Sequence, residues 1–401
     1  MGISSLIGVV VVLASCGPSP HSPSHASTTS IAPTTSSPVT TSTTTTTSVS
    51  GSGLAASSLQ DLSWLSTTEG WALATQACAT GSCARLAYTT DGGDQWQQLP
   101  DPPTAASRDC PLNGTTCVSG VRFATSMVGY LFGPSLLMTT DGGHTWQLQA
   151  GPLVETLTVA DGVVFRVAYG HSGCPGPCQP TLQEAPFGSG TWQTLIGQLS
   201  TPDRSSLAQI VASGQDLLVA MYGSQAGPFS AQATVYRSTD VGGSWQLMSD
   251  PCAVQGPSGV EEDLIDLAGA PGGFFAGLCS PHVGTGSFVM TSTDGGSSWQ
   301  KVGALPAGQI LNELAAASSS TLAVSTGATS GAGPFTAQVF VSTDGGQRWT
   351  RAASDSQQIT SMGVPAWLGF ETSQVGRWIG DPHSVWTTDD GGNHWTQAPF
   401  P

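Results

Sequence analysis

Thr89-Thr90-Asp91-Gly92-Gly93-Asp94-Gln95-Trp96 is the stretch whose reading decides the architecture. Asp-Gly between apolar runs is a hairpin signal, because glycine takes positive φ at little cost. The aspartate carboxylate can accept bonds from N–H groups of its own turn. The tryptophan gives the unit one large apolar anchor under the turn. The octad therefore reads strand, turn, strand.

The pattern Ser/Thr-x-Asp-x-Gly-x-x-Trp returns at Thr139 to Trp146 with Asp141, and at Ser238 to Trp245 with Asp240. It returns again at Ser292 to Trp299 with Asp294, Ser342 to Trp349 with Asp344, and Thr388 to Trp395 with Asp390. Ala185 to Trp192 keeps only the tryptophan, but it falls where the period demands a copy. The Trp-to-Trp spacings are 50, 46, 53, 54, 50 and 46. Seven units fit that regularity better than six. Two more strands precede each turn, as in Val121 to Ala124 and Gly129 to Phe132, or Trp367 to Phe370 and Arg377 to Gly380. Four short strands per unit are the signature of a propeller blade. The expected fold is an all-β, seven-bladed β-propeller, with six or eight blades as the alternatives. Ring closure would remove exposed sheet edges.

The repeated turn resembles the Asp box of the bacterial neuraminidase repeat, found in sialidases, sortilin-type receptors and xyloglucan-active glycosidases. The fuller unit has an aromatic strand, then Gly-Trp or Gly-Tyr, then Thr-x-Asp-Gly-Gly-x-x-Trp. It looks most like the photosystem II stability/assembly factor family, which implies seven blades and a general role in binding or assembly. The resemblance spans residues 59 to 401 and speaks to fold more than to function. That family is associated with a basic patch, whereas this chain carries a net charge of −16. Gly-Pro-Phe-(Ser/Thr)-Ala-Gln occurs twice, at Gly227 to Gln232 and Gly333 to Gln338, as expected of internal duplication.

The N-terminal part reads differently. Ile3 to Ala14 is apolar, and Leu13-Ala14-Ser15-Cys16 resembles a lipobox whose cysteine takes lipid; no Lys or Arg precedes the run. An apolar run this short is a signal segment and not a permanent span. Residues 17–58 are Ser, Thr and Pro with few others, a composition that cannot bury a core. The expected organisation is a signal peptide and lipobox over 1–16, a tether over 17–58 and the propeller over 59–401. Membrane attachment is expected only through the lipid on Cys16. With 26 acidic against 10 basic residues, a nucleic-acid partner is electrostatically disfavoured.

Eight cysteines follow Cys16, an even number that suits disulfides in an exported chain. Sequence neighbours suggest Cys78–Cys83, Cys110–Cys117, Cys174–Cys178 and Cys252–Cys279. All eight map to the face opposite the Asp-Gly turns, where the longest connections also lie. Long loops on a rigid scaffold are where binding usually occurs. Glu261, Glu262, Asp263 and Asp266 form the one acidic cluster, placed in a connection on that face. Carboxylates so close could hold Ca²⁺; the plainer reading is a solvated charged loop, and no cofactor is expected. His171, His282 and His383 are read as scattered surface residues.

A sialidase needs three convergent arginines and a Tyr nucleophile beside a Glu. Between Leu54 and Trp96 the only arginine is Arg85, and Tyr88 and Tyr236 stand just before Asp-Gly turns. No catalytic residues are assigned. The leading expectation is a non-catalytic binding or assembly scaffold for a protein or glycan partner. A carbohydrate-active hydrolase is the alternative.

Overall fold

The computed structural model describes residues 57–401, apart from 80, 108–109, 111–115, 171–178, 202–206, 223–232, 254–261, 282–285, 307–310, 327–334 and 360–366. Cys16, Glu261, His171, His282 and the Cys174–Cys178 pair lie outside the described residues. Seven antiparallel sheets of four strands each make a β-propeller, and no described residue is helical. The blades span 58–98, 120–148, 153–196, 207–248, 262–304, 311–359 and 367–399. The third contains the degenerate repeat. It is a complete blade, with strands Leu153–Ala160, Val163–Tyr169, Thr181–Pro186 and Gln193–Ile196. The count of seven is therefore right.

Each sheet is a meander in which neighbours in sequence are neighbours in space. First strands of successive blades meet from blade 1 through to blade 7. Second strands lie in the sandwich between blades, covered on both sheet faces. That is why Ala72-Leu73-Ala74 and Leu217 to Met221 are buried without alternation. Fourth strands form the rim, and Gln97–Gln98 and Gln147–Leu148 are exposed.

The Asp-Gly turns have one geometry in six blades. The carboxylate Oδ1 accepts the N–H four residues on: Gln95 at 3.0 Å, Thr145 and Ser244 at 2.8 Å, Ser298, Arg348 and His394 at 2.9 Å. The leading hydroxyl donates to the same Oδ1, as from Thr139 to Asp141 at 2.7 Å. It also accepts the N–H of the second glycine, for example Gly346 to Ser342 at 2.8 Å. In five blades the indole Nε1 donates to that glycine's carbonyl, at 3.1 Å for Trp146 and Trp299, 3.0 Å for Trp245 and Trp349, and 2.9 Å for Trp395. Asp91, Asp141, Asp240, Asp294, Asp344 and Asp390 are thus bonded to their own turns.

The second glycine also sets the distance between blades. A Cβ at Gly143 would lie 2.8 Å from Leu86 of blade 1, and at Gly242 2.6 Å from Phe165 of blade 3. At Gly346 it would lie 2.7 Å from Val302 of blade 5. In blades 2, 4, 5, 6 and 7 the turn leans on the preceding blade, so glycine is required there for closeness as well as for φ. The first position is glycine at positive φ everywhere except blade 4, where Val241 sits at φ 53°. A β-branched side chain at positive φ carries strain of roughly 1–2 kcal/mol. Val241→Gly is expected to raise stability by about 0.5–1 kcal/mol, since the glycine's unfolded-state entropy offsets part of the relief. Chemical denaturation checks this; a lower midpoint would mean that the contact of Val241 with the blade 3–4 core outweighs the strain.

Among the described residues ring closure uses no shared strand. Blade 1 is built wholly from the start of the domain and blade 7 wholly from its end. Leu59, Leu62, Ile379, Val385 and Phe400 form one buried cluster, with Trp64, Trp96 and Trp367 against it. Leu59 N–H donates to Pro382 C=O at 2.8 Å. The Arg377 guanidinium, 2% exposed, reaches across from blade 7. It donates to Thr67 C=O at 2.9 Å and Gly92 C=O at 3.2 Å, and its carbon lies 4.5 Å from the Trp64 ring centroid.

Candidate functional site

Hairpins between first and second strands share one face with the Asp-Gly turns and are short. The second-to-third and blade-to-blade connections leave the strands at the opposite face, among them the described residues 99–107 and 116–119 between blades 1 and 2 and 249–253 after blade 4. Three of the four expected disulfides are described, and all are on that face: Cys78–Cys83, Cys110–Cys117 and Cys252–Cys279. Cys110–Cys117 closes an excursion that also pairs Ala105–Ala106 with Cys117–Val118 in parallel. Cys252–Cys279 joins the end of blade 4 to the second strand of blade 5, and both cysteines are fully buried. Asp250 prepares that junction, accepting Ala233 N–H and Cys252 N–H, each at 2.7 Å.

The acidic cluster needs correction. Glu262, Asp263 and Asp266 belong to the first strand of blade 5, Glu262–Ala270, and not to a solvated loop. Asp266 is 6% exposed and is used between blades. It accepts Gln209 Nε2 of blade 4 at 2.7 Å, its neighbour Leu267 N–H at 2.9 Å, and Leu314 N–H of blade 6. Glu262 Oε1 lies 3.9 Å from Lys301 Nζ. Among the described residues no group of three or more His, Cys, Asp or Glu could hold a metal. His383 Nδ1 donates to Ser57 C=O, 3.2 Å away, and belongs to the closure seam.

Arginines are also committed. Arg85 pairs with Asp101, Arg348 with Asp344 and Arg377 with Glu371. Arg122 donates to Leu62 C=O, and Arg237 to the blade 5 turn at Asp294 and Gly295. These five sit on five different blades, and each is held by a structural partner of its own.

The sequence reading missed the inter-blade polar contacts. Asp61 accepts Val121 N–H at 2.7 Å and Ser63 accepts Phe123 N–H at 2.8 Å, linking first strands of blades 1 and 2. Gln209 plays the same part between blades 4 and 5, where Leu267 N–H donates to its Oε1 at 3.0 Å. The residue after Gly in the second strand is a further latch. Trp71 Nε1 donates to Gly142 C=O at 3.4 Å, and Tyr130 Oη accepts Gly188 N–H at 2.9 Å. The Gly-Trp and Gly-Tyr dipeptides visible in the repeat are thus contacts to the next blade's turn.

Burial raises Glu155, Glu184 and Glu262, and raises Asp250, Asp266 and Glu371 most. It pushes Asp250 up to about 6 and Asp266 and Glu371 up to about 7, against the backbone donors or the Arg377 charge that oppose it. In the turns, hydrogen bonds pull Asp141 and Asp294 down to about 2. The buried three have folded values above their unfolded ones, so the native state holds the extra protons. Their contribution is most favourable near pH 4 and is lost as pH rises to about 7, at up to roughly 1.4 kcal/mol per pH unit for each group titrating. The turn aspartates act oppositely, losing stability below about pH 4, and their exposure makes that effect smaller. The thermal midpoint is therefore expected to peak near pH 4–5 and fall towards pH 7.5. A midpoint that climbs across that interval would contradict the assignment.

No protein-family model matches the chain, and no curated protein is significantly similar to it. Solved structures do match. An ancestral GH74 enzyme aligns at 14% identity and TM-score 0.52, over 85% of this chain and 46% of that one. YCF48 bound to a D1 peptide aligns at 17% identity and TM-score 0.49, over 82% and 91%. A Trypanosoma rangeli sialidase in complex with the inhibitor DANA aligns at 15% identity and TM-score 0.41, over 64% and 50%. The chain spans less than half the length of the GH74 enzyme. At these identities the likeness concerns the fold alone: this chain is a seven-bladed β-propeller.

Proposed function

We propose that the chain is an extracytoplasmic lipoprotein, anchored by lipid on Cys16 and held off the membrane by residues 17–58. Its propeller acts as a non-catalytic binding or assembly scaffold for a protein or glycan partner. The carrying observation is the asymmetry of the two faces. All three described disulfides share one face with the blade 1–2 excursion, while the other carries short turns bonded to themselves. The staple on the blade 1–2 excursion, Cys110–Cys117, reduces the ordering entropy lost on binding there. The structural employment of Arg85, Arg122, Arg237, Arg348 and Arg377 supports the scaffold reading over the hydrolase one.

The test has two arms. Cys16→Ser in the full chain is expected to move the protein from the membrane fraction to the soluble one, or to block processing; unchanged fractionation would refute the anchor. For the face, the full chain is screened against glycans and by cross-linking on cells, beside a variant with 170–180 and 223–233 replaced by Gly-Ser segments. Loss of the wild-type partner in the loop variant supports the scaffold. Turnover of a glycan substrate by wild type would instead favour the hydrolase.

A further inference from the structure

Blade 3 lost its Asp-Gly turn but kept Trp192, and the ring has a different task there. In five blades the tryptophan Nε1 is bonded to its own turn. Trp192 Nε1 is buried with no acceptor. Its ring instead carries the Arg166 guanidinium, 3.8 Å from carbon to ring centroid. Arg166 comes from the second strand of blade 3 and is only 3% exposed. Its Nε donates to Gln183 Oε1 at 2.9 Å. Among the described residues its two Nη atoms have no hydrogen-bond partner, and no carboxylate lies in ion-pair range. Burial without a compensating anion lowers its pKa to about 10.

A buried cation without a partner is costly, and proteins usually pair it. Arg377 in blade 7 shows the paired case, with Glu371 at 3.6 Å and two carbonyls. Arg166 has none of these in a chain that carries 26 acidic residues. Its plane is fixed by Trp192 on one face and by Gln183 at Nε, which leaves the Nη edge without a hydrogen-bond partner among the described residues. That edge is the fork that takes two carboxylate oxygens in plane. The edge points towards the blade 2–3 connection, where a Cβ at Gly151 would lie 3.9 Å from Nη2.

We propose that Arg166, seated on Trp192, is an anion-binding site on blade 3 that accepts a ligand carboxylate. The carboxylate belongs either to a peptide or to an acidic sugar. The site faces the blade 2–3 connection and so deepens the scaffold reading; it fails alone if the partner still binds the Arg166→Met variant.

The experiment titrates the full-length protein with three probe pairs, following tryptophan fluorescence and calorimetric heat. The pairs are acetate against acetamide, a short peptide acid against its amide, and glucuronate against glucose. Wild type is expected to bind the anionic member of at least one pair saturably and to ignore its neutral partner. Which pair binds tightest identifies the source. Arg166→Met should abolish binding while leaving the thermal midpoint equal or higher, since it removes an unpaired buried charge. A merely structural arginine would lower that midpoint instead. Arg166→Lys, which keeps charge but not the fork, should weaken binding at least about tenfold. If Arg166→Met does not fold, Arg166→Lys and Trp192→Phe carry the test. Absence of saturable carboxylate binding to wild type, or equal binding by the folded variants, would overturn the proposal.

Discussion

Arg377→Ala should destabilise the propeller by about 3–5 kcal/mol at pH 8, the range for removing one member of a buried ion pair. The substitution strips the closure seam of its guanidinium bonds to Thr67 and Gly92 and of its contact with Trp64. It also strands Glu371, whose side chain is 5% exposed and whose oxygens have no hydrogen-bond donor. Burial already raises Glu371 to about 7 with Arg377 beside it. Without the arginine it should rise further, so at pH 5 the stranded acid is neutral and the loss should shrink to roughly half. Replacing both residues, Glu371→Leu with Arg377→Met, should cost less than Arg377→Ala alone, because an apolar pair leaves no unpaired charge. Hydrogen exchange should show early opening at Thr67 to Gly92 and at the start of blade 1, since no shared strand backs up this seam. A pH-independent loss, or exchange spread evenly over all blades, would contradict the latch.

The fold was legible because the repeat is local. A hydroxyl, a carboxylate, two glycines and a tryptophan within eight residues encode one turn completely, and their period counts the blades. Even blade 3 was placed by Trp192 and the period alone. The closure seam was not legible, because Arg377 and Gly92 stand at opposite ends of the domain and nothing local signals their meeting. Asp266 was misread for a related reason. The chain bulges between Leu264 and Asp266, so a buried acid sits among apolar residues without the alternation that marks a strand. Arg166 and Arg377 did leave a trace. Each is a single charge inside an otherwise apolar second strand, Val164 to Val167 and Gly376 to Ile379. In a strand covered on both faces, such a charge must reach a partner on a neighbouring blade or meet a ligand.

Of the three described disulfides, Cys252–Cys279 should matter most to stability. Its sequence separation is 27, against 5 for Cys78–Cys83 and 7 for Cys110–Cys117. Chain-entropy arguments then assign it about 3–4 kcal/mol and the shorter two about 2 kcal/mol each. Location adds to the difference. Cys252 and Cys279 sit in the blade 4–5 core with Leu264, Phe275 and Phe288, so their replacement also loosens packing. Cys78 and Cys83 close a hairpin at the surface, where little else depends on them. Cys252→Ala with Cys279→Ala should therefore lower the denaturation midpoint well beyond the Cys78→Ala, Cys83→Ala pair. Peptide mapping without reduction gives the independent check on connectivity. Equal losses for the two pairs would mean that local strand pairing, and not the crosslink, holds blades 4 and 5 together. If the stapled face is the binding surface, graded reduction should weaken partner binding while the sheet signal is still native. Binding that survives full reduction of a folded domain would place the partner elsewhere on the molecule.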